Sequence, residues 1–494
     1  MGTRPPAATR GRPVALLLLA GVLCFARVSR ERWLAAWPAP QQVSLGVQDN
    51  IQAKVDASPP GTTFLIAAGV HRLQSIVPKS ADSFVGEQGS VLSGAVQLTS
   101  FQPDDAFWVA RVPAQLSATA DQQVAARSKC QSDHSACGFP EDVFIDDAPL
   151  QRVLDQSGLA PGKWYLDYRT GNAYLGDNPT GHRVELSITR HAFSGSAADV
   201  TIRGLVIEKY ANPAQTGAVH SLGDPGPCGH HWTIERNEVR FSHGGGVKLC
   251  DTRLTNNNIH HNGQIGVIGV GNDELVEGNQ IVGNNYAGYD YRWEGGGTKF
   301  AELHNLVVRD NDVHDNKGPG LWTDSNNFNV LYEHNHTRNN LVAGIAHEVS
   351  FDAVIRNNTI EDDGYDPHAS PWYGAGIDIT ASSNVEIYGN TITNCMNGII
   401  AKQPQRGASR TGRPYVVKNI YVHDNTITQT QGIALGLLKS GSSDDQLFAS
   451  SDNRFENNTF KLANPNGRYF IWQNKPRTLA EWKSLASHGR ATGE

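Results

Sequence analysis

The chain has 494 residues, 39% hydrophobic and 18% charged, which is enough for two or three ordinary domains or one long repeat array and too apolar for a disordered polymer. Its net charge of −7 lacks the basic excess that nucleic acid or an anionic membrane surface selects, so neither is expected as a partner. The 50 glycines point to a fold with many tight corners.

At the start, Arg4, Arg10 and Arg12 precede an apolar run, Val14 to Ala26, that Arg27, Arg30, Glu31 and Arg32 end. The run is short for a helix crossing a bilayer and has the layout of an export signal. Cys24 follows Leu23, where a lipoprotein signal needs a small residue. Residues 1–40 are therefore expected to be a signal peptide, with an uncleaved anchor as the alternative and the only membrane contact. The destination is secretion, the periplasm or the cell surface. Cys130–Cys137 and Cys228–Cys250 are candidate disulfides in such an oxidising compartment, and Cys395 is left as a buried thiol. No C-x-x-C pair or His/Cys cluster suggests a metal.

Residues 41–100 begin with a short helical pattern, VQDNIQAKV, and continue with short strands, FLIAAGVHRL and FVGEQGSVLSGA. Residues 101–195 read as an inserted β-rich lobe, with VFIDDAPLQRV and KWYLDYRTGNAYLGD as strands and RTGN as a hairpin turn. From 196 to 462 the chain repeats. An Asn before an apolar or β-branched pair recurs as Asn237, Asn258, Asn279, Asn311, Asn335, Asn358, Asn390, Asn425 and Asn458, at spacings of 21 to 24 residues or, with insertions, 32 to 35. After most of them comes a Gly and a short strand: GVKLC, GVIGV, GLWTD, GIAHEVS, GIIAK. A unit of about 22 residues cannot bury its own apolar face, but stacked units bury a continuous column. An Asn at one corner can hydrogen-bond the Asn of the next coil and tolerates left-handed turns, so these Asn have a structural explanation. Residues 463–494, with Trp472 and Trp482, are expected to close the open end.

This pattern resembles the right-handed parallel β-helix superfamily of pectate-lyase-like proteins, over roughly residues 45–100 and 196–462. The resemblance implies an all-β, single-stranded parallel β-helix with an N-terminal capping helix. It leaves activity open, because that superfamily hosts hydrolases, lyases, epimerases and inert shafts.

Side chains alternate along a strand. Counting from each Gly, positions one and three point inward, as Val247, Leu249, Leu321, Thr323, Ile345, His347, Ile377 and Ile379. Positions two and four point outward, and there the middle coils become charged: Asp290, Arg292, Trp322, Asp324, Glu348, Asp378 and Lys402. The loop YRWEGGGTKF adds Glu294 and Lys299. The coil after Gly288 has two possible registers; GGGTKF as the strand would turn Lys299 outward.

Asp324 and Glu348 occupy equivalent positions on adjacent coils, so their carboxylates are expected about 5 Å apart, the separation of a retaining glycoside hydrolase. Asp324 would be the nucleophile and Glu348 the acid/base; Asp290 and Lys299 are further catalytic candidates. Trp322 would stack on a sugar, with Glu294, Arg292, Asp378 and Lys402 as substrate-binding candidates. This hydrolase needs no cofactor. A polysaccharide lyase is the alternative, with Asp290, Asp324 and Glu348 holding calcium against a uronate and Lys299 or Arg292 taking the proton. A β-helix that only binds glycans is the third. In each case the partner is a polysaccharide or oligosaccharide. Arg406, Arg410 and Arg413 hint at an anionic polymer. Asp366-Pro367-His368 is similar to the start of a D-P-H-D signature of β-helix mannuronan C5-epimerases, but Ala369 stands fourth and a turn explains it.

Overall fold

The computed structural model describes residues 41–112, 116, 128–223, 226–367, 373–439 and 452–486. The predicted export segment and His368 lie outside them. No helix among the described residues is long and apolar enough to cross a membrane.

Short strands wind into coils that stack in parallel register on three faces. The first face runs through Gly245–Cys250, Ile265–Asn272, Leu321–Asp324, Ala343–Glu348, Ala375–Thr380 and Ile399–Gln403. The second includes Thr252–Thr255, Phe328–Glu333, Phe351–Arg356 and Ser383–Tyr388, and the 14-residue strand Gly296–Arg309 bends across both. The third is a 12-stranded sheet from Gly69–Arg72 to Thr459–Leu462. Residues equivalent in the repeat sit directly over one another, as in Val239↔Ile259↔Ile281↔Val313. Those side chains are fully buried. Each contributes about 1.5–3 kcal/mol by leaving water, but only when a neighbouring coil covers it.

Corners are set by side-chain ladders. Asn237, Asn257, Asn279, Asn311, Asn335, Asn358, Asn390, Asn425 and Asn458 form one ladder, each of the first eight donating from Nδ2 to Oδ1 of the next at 2.9–3.1 Å. The ladder residue in the NNN run is thus Asn257, and the predicted Asn258 is the first residue of the following strand. The left-handed corner residue is the one before each ladder Asn, such as Asn256 (φ 56°), Asp310 (φ 56°) and Asn357 (φ 55°). This frees the Asn side chain to serve the ladder. A second ladder, five positions on, joins Asn262, Asn284, Asn316 and Asn340 and ends on Asp363.

Both candidate disulfides form, and Cys395 is a buried thiol. The capping helix spans Ile51–Ala57, with the Asn50 side chain accepting from Ala53 N. The inserted lobe holds two small sheets and already begins at strand Ala95–Leu98, which pairs with Val184–Ser187. It is fastened to the coils by the buried Lys209 ammonium, which meets Asp147 and Glu185, and by Arg72 on Glu185 at 2.7 Å. At the far end Phe470–Trp472 adds a last strand to the first face. Helix Leu479–Ala486 covers that end, with Trp482 buried against Phe455 and Trp472.

Candidate active site

The register of the first face places Leu321, Trp322, Thr323 and Asp324 opposite Ile345, Ala346, His347 and Glu348. Leu321, Thr323, Ile345 and His347 are buried, so the alternation expected from the sequence holds on these coils. His347 is a core residue. It hydrogen-bonds Thr323 Oγ1 at 2.8 Å, and burial drives its pKa down to about 3, leaving the ring neutral.

Asp324 and Glu348 lie side by side on neighbouring strands, a spacing of about 4.8 Å along the helix axis. Glu348 has its proton affinity raised, first by burial and then by the negative charge of Asp324; Arg406 and Lys402 oppose this and Asp378 adds to it. Asp324 is ion-paired with Lys299, whose Nζ lies 2.9 Å from Oδ2 and 3.1 Å from Glu294 Oε1. Glu348 is ion-paired with Arg406 at 2.7 Å. One coil beyond, Asp378 sits opposite Ala346, in the other outward column, and pairs with Lys402. Thr380, opposite Glu348, donates to Asp378 Oδ1 at 2.9 Å. Four carboxylates and three cations thus alternate across adjacent coils.

The coil after Gly288 takes the GGGTKF register. Lys299 stands opposite Ile268, and Phe300 pairs on to Thr323. Asp290 is therefore not an outward strand residue. It caps a helical turn, Tyr291–Glu294, accepting from Arg292 N at 2.9 Å, because Asn285 holds the backbone at Tyr289 and turns the chain before the strand can start. That cap is a sufficient role for its carboxylate. Arg292 is exposed, with its guanidinium over the Tyr291 ring. Glu294, at the end of the turn, is delivered to Lys299.

Trp322 does not offer a face for stacking. It is only 6% exposed, and Lys299 Nζ lies 4.2 Å from its ring centroid. The exposed aromatic beside the charges is Tyr373, 58% exposed, with Lys402 Nζ 4.4 Å from its ring centroid. The three arginines that hinted at an anionic polymer are each matched within the chain: Arg406 to Glu348, Arg410 to Glu302 and Arg413 to Asp352. Asp366 accepts from Tyr291 OH, which ties the insertion after Asn358 to the turn and fits a structural role for that segment.

The lobe braces the turn that carries Glu294, a contact sequence reasoning did not anticipate. Asp290 N donates to Lys129 O at 2.8 Å, Gln131 N donates to Gly288 O at 2.9 Å, and Lys129 lies over Trp293. The Cys130–Cys137 disulfide closes that segment. The contact joins residues more than 150 positions apart, and no local pattern carried it.

Residues 227–392 match the family described as right handed beta helix region. The structure of XylC in complex with xylose is 15% identical, over 88% of this chain and 86% of that one, with a TM-score of 0.63. The fold is a right-handed parallel β-helix. Also similar are the A-module of the mannuronan C-5 epimerase AlgE6 from Azotobacter vinelandii (13% identity, 91% of this chain and 97% of that one, TM-score 0.43) and the family 28 exopolygalacturonase of Yersinia enterocolitica (12%, 89% and 80%, 0.35). No curated protein matches the chain in sequence.

Proposed function

We propose that this β-helix protein is an exported glycoside hydrolase that retains anomeric configuration, with Asp324 as nucleophile and Glu348 as acid/base. The observation that carries this is the pairing of Asp324 and Glu348 on adjacent strands, with the proton affinity of Glu348 raised by burial and by the Asp324 charge. Strands about 4.8 Å apart suit two carboxyl groups at the retaining separation of about 5–5.5 Å, whereas a water-bearing inverting site needs about 6.5 Å or more. In the first step an Asp324 oxygen bonds the anomeric carbon, the glycosidic C–O bond breaks, and its electron pair leaves on the oxygen that takes the Glu348 proton. In the second, Glu348 takes a proton from water. The water oxygen bonds the same carbon, and the pair of the Asp324 ester bond returns to Asp324. Lys299, between Glu294 and Asp324, holds the nucleophile in place.

The ion pairs favour this over the calcium lyase. Asp324 and Glu348 each already face a cation, and Asp290 is engaged as a cap, so the acids proposed to gather calcium are spoken for. Lys299, the candidate lyase base, is held as the ion-pair partner of both Glu294 and Asp324. The same pairing matches Lys299, Arg406 and Lys402 to carboxylates of the chain itself, which favours a neutral sugar over a uronate as the substrate. The similar XylC structure contains xylose, which makes xylosides the first to try. The two disulfides support export.

The test is turnover of aryl glycosides and neutral and uronate polysaccharides, following reducing ends and ultraviolet absorbance together. Reducing ends without unsaturated product, lost in Asp324→Asn and Glu348→Gln, are expected. Unsaturated product would place the protein among lyases, and binding without turnover would leave a glycan-binding protein.

A further inference from the structure

Residues 404–415, inserted after the strand Ile399–Gln403, fold into a strap that crosses from the first face to the second. The strap is internally braced. Ser409 N donates to Arg413 O at 2.8 Å, Arg413 N donates to Ser409 Oγ at 3.1 Å, and Tyr415 N donates to Gly407 O at 3.1 Å. Its far end is clamped. Arg413 makes two hydrogen bonds of 3.0 Å to the Asp352 carboxylate and lies 4.0 Å from the Phe351 ring centroid. Tyr415 stacks on Phe351 and donates to Asn326 Oδ1. Gln403 anchors the near end by accepting from Val417 N at 2.6 Å. With both ends fixed, the strap carries Arg406 onto Glu348 Oε1 at 2.7 Å, from 58 residues away.

We propose that Arg406 is a positioning residue that sets the protonation cycle of Glu348. This rests on the retaining-hydrolase function above. Glu348 must be an acid in the first step and a carboxylate in the second. Burial and the neighbouring charges of Asp324 and Asp378 favour the acid, while Arg406 and Lys402 favour the carboxylate. Forming the glycosyl ester removes the Asp324 charge, and the balance then tips toward the carboxylate. Arg406 supplies the hydrogen bond that orients the resulting anion and keeps it from holding its proton too tightly. The strap brings a cation into direct hydrogen-bond contact with Glu348, whereas the strand position facing Glu348 on the next coil is Thr380, which is neutral.

The experiment compares Arg406→Ala, Arg406→Lys and Arg413→Ala with the wild type by pH profile of kcat/KM and of kcat on an aryl glycoside. A ¹³C carboxyl titration of Glu348, assigned with Glu348→Gln, supplies a readout that needs no turnover. In Arg406→Ala the basic limb and the carboxyl titration both move up by roughly 0.5–1 pH unit, a reduced value because the guanidinium is partly exposed. The glycosyl-enzyme then accumulates, seen as a larger burst. Arg406→Lys shifts less, and Arg413→Ala, which releases the clamp while leaving Arg406 in the chain, shifts in the same direction as Arg406→Ala. Lower kcat with an unmoved pH limb and titration in Arg406→Ala overturns the proposal while leaving the hydrolase intact. Absence of wild-type hydrolysis on every glycoside, with the carboxyl titration of Glu348 unmoved in Arg406→Ala, overturns both.

Discussion

Asn257 and Asn258 are neighbours in one NNN run, yet only the first is built into the ladder. The Asn257 side chain accepts from Asn237 N at 3.0 Å and Asn237 Nδ2 at 3.1 Å, and donates to Ile234 O at 2.9 Å and Asn279 Oδ1 at 3.0 Å. Asn257→Ala therefore strips the side-chain acceptor from the buried Asn237 N–H and the side-chain donor from the Ile234 and Thr255 carbonyls, whereas Asn237 Nδ2 keeps Ile202 O and Asn279 Oδ1 keeps the Asn257 backbone N–H. At about 1–3 kcal/mol for each buried group left unpaired, with some relief by relaxation or entering water, the loss is about 3 kcal/mol. Asn258 is half-exposed and lies on the strand, so Asn258→Ala changes stability by about 0.5 kcal/mol or less. Urea denaturation measures both. Because a coil array can open in parts, hydrogen exchange at the Asn237 amide is read alongside, and it accelerates only in Asn257→Ala. Equal destabilisation by the two variants refutes the ladder argument.

Asp363 ends the second ladder as a buried acid whose pKa is raised to about 7, chiefly by burial. A folded pKa above the unfolded value of 3.8 gives stability that is fully present below about pH 4 and is lost as pH rises through about 7. Asp363→Asn, which continues the amide ladder, is expected to flatten that slope and raise the urea midpoint at pH 8, corresponding to roughly 2–4 kcal/mol; an unchanged midpoint at pH 8 counts against a protonated Asp363. Glu348→Gln lowers turnover of substrates with poor leaving groups by about 10²–10⁴-fold, and azide restores turnover of activated aryl glycosides in Glu348→Ala. Chelation with EDTA leaves the rate unchanged, since the carboxylates at the site are matched by Lys299, Arg406 and Lys402; a rate abolished by EDTA and restored by calcium contradicts this.

The coil architecture was legible because each repeat repeats one physical problem, an apolar face needing a neighbour. The alternation from Gly320 and Gly344 then put Asp324 beside Glu348 without further information. What escaped was local or very long-range. The Asp290 coil was ambiguous because two apolar-flanked strands competed, and Asn285 and the Asp290 cap decided between them. Asn257 and Asn258 are chemically identical neighbours, separated only by which one follows the left-handed residue. Trp322 looked outward by parity, and parity does not show that Lys299 lies over its ring. Arg406 reaches Glu348 only because a strap is clamped at Asp352, a pairing across 61 residues that no periodicity encodes.

The central claim is tested most directly by the stereochemistry of the product. Proton NMR of the sugar released in the first minutes of hydrolysis distinguishes the anomers before mutarotation. Asp324 and Glu348 on adjacent strands predict that the first anomer seen has the configuration of the substrate, and that Asp324→Asn abolishes its appearance. An inverted first product, or a double bond in the released sugar, contradicts the assignment of Asp324 as nucleophile.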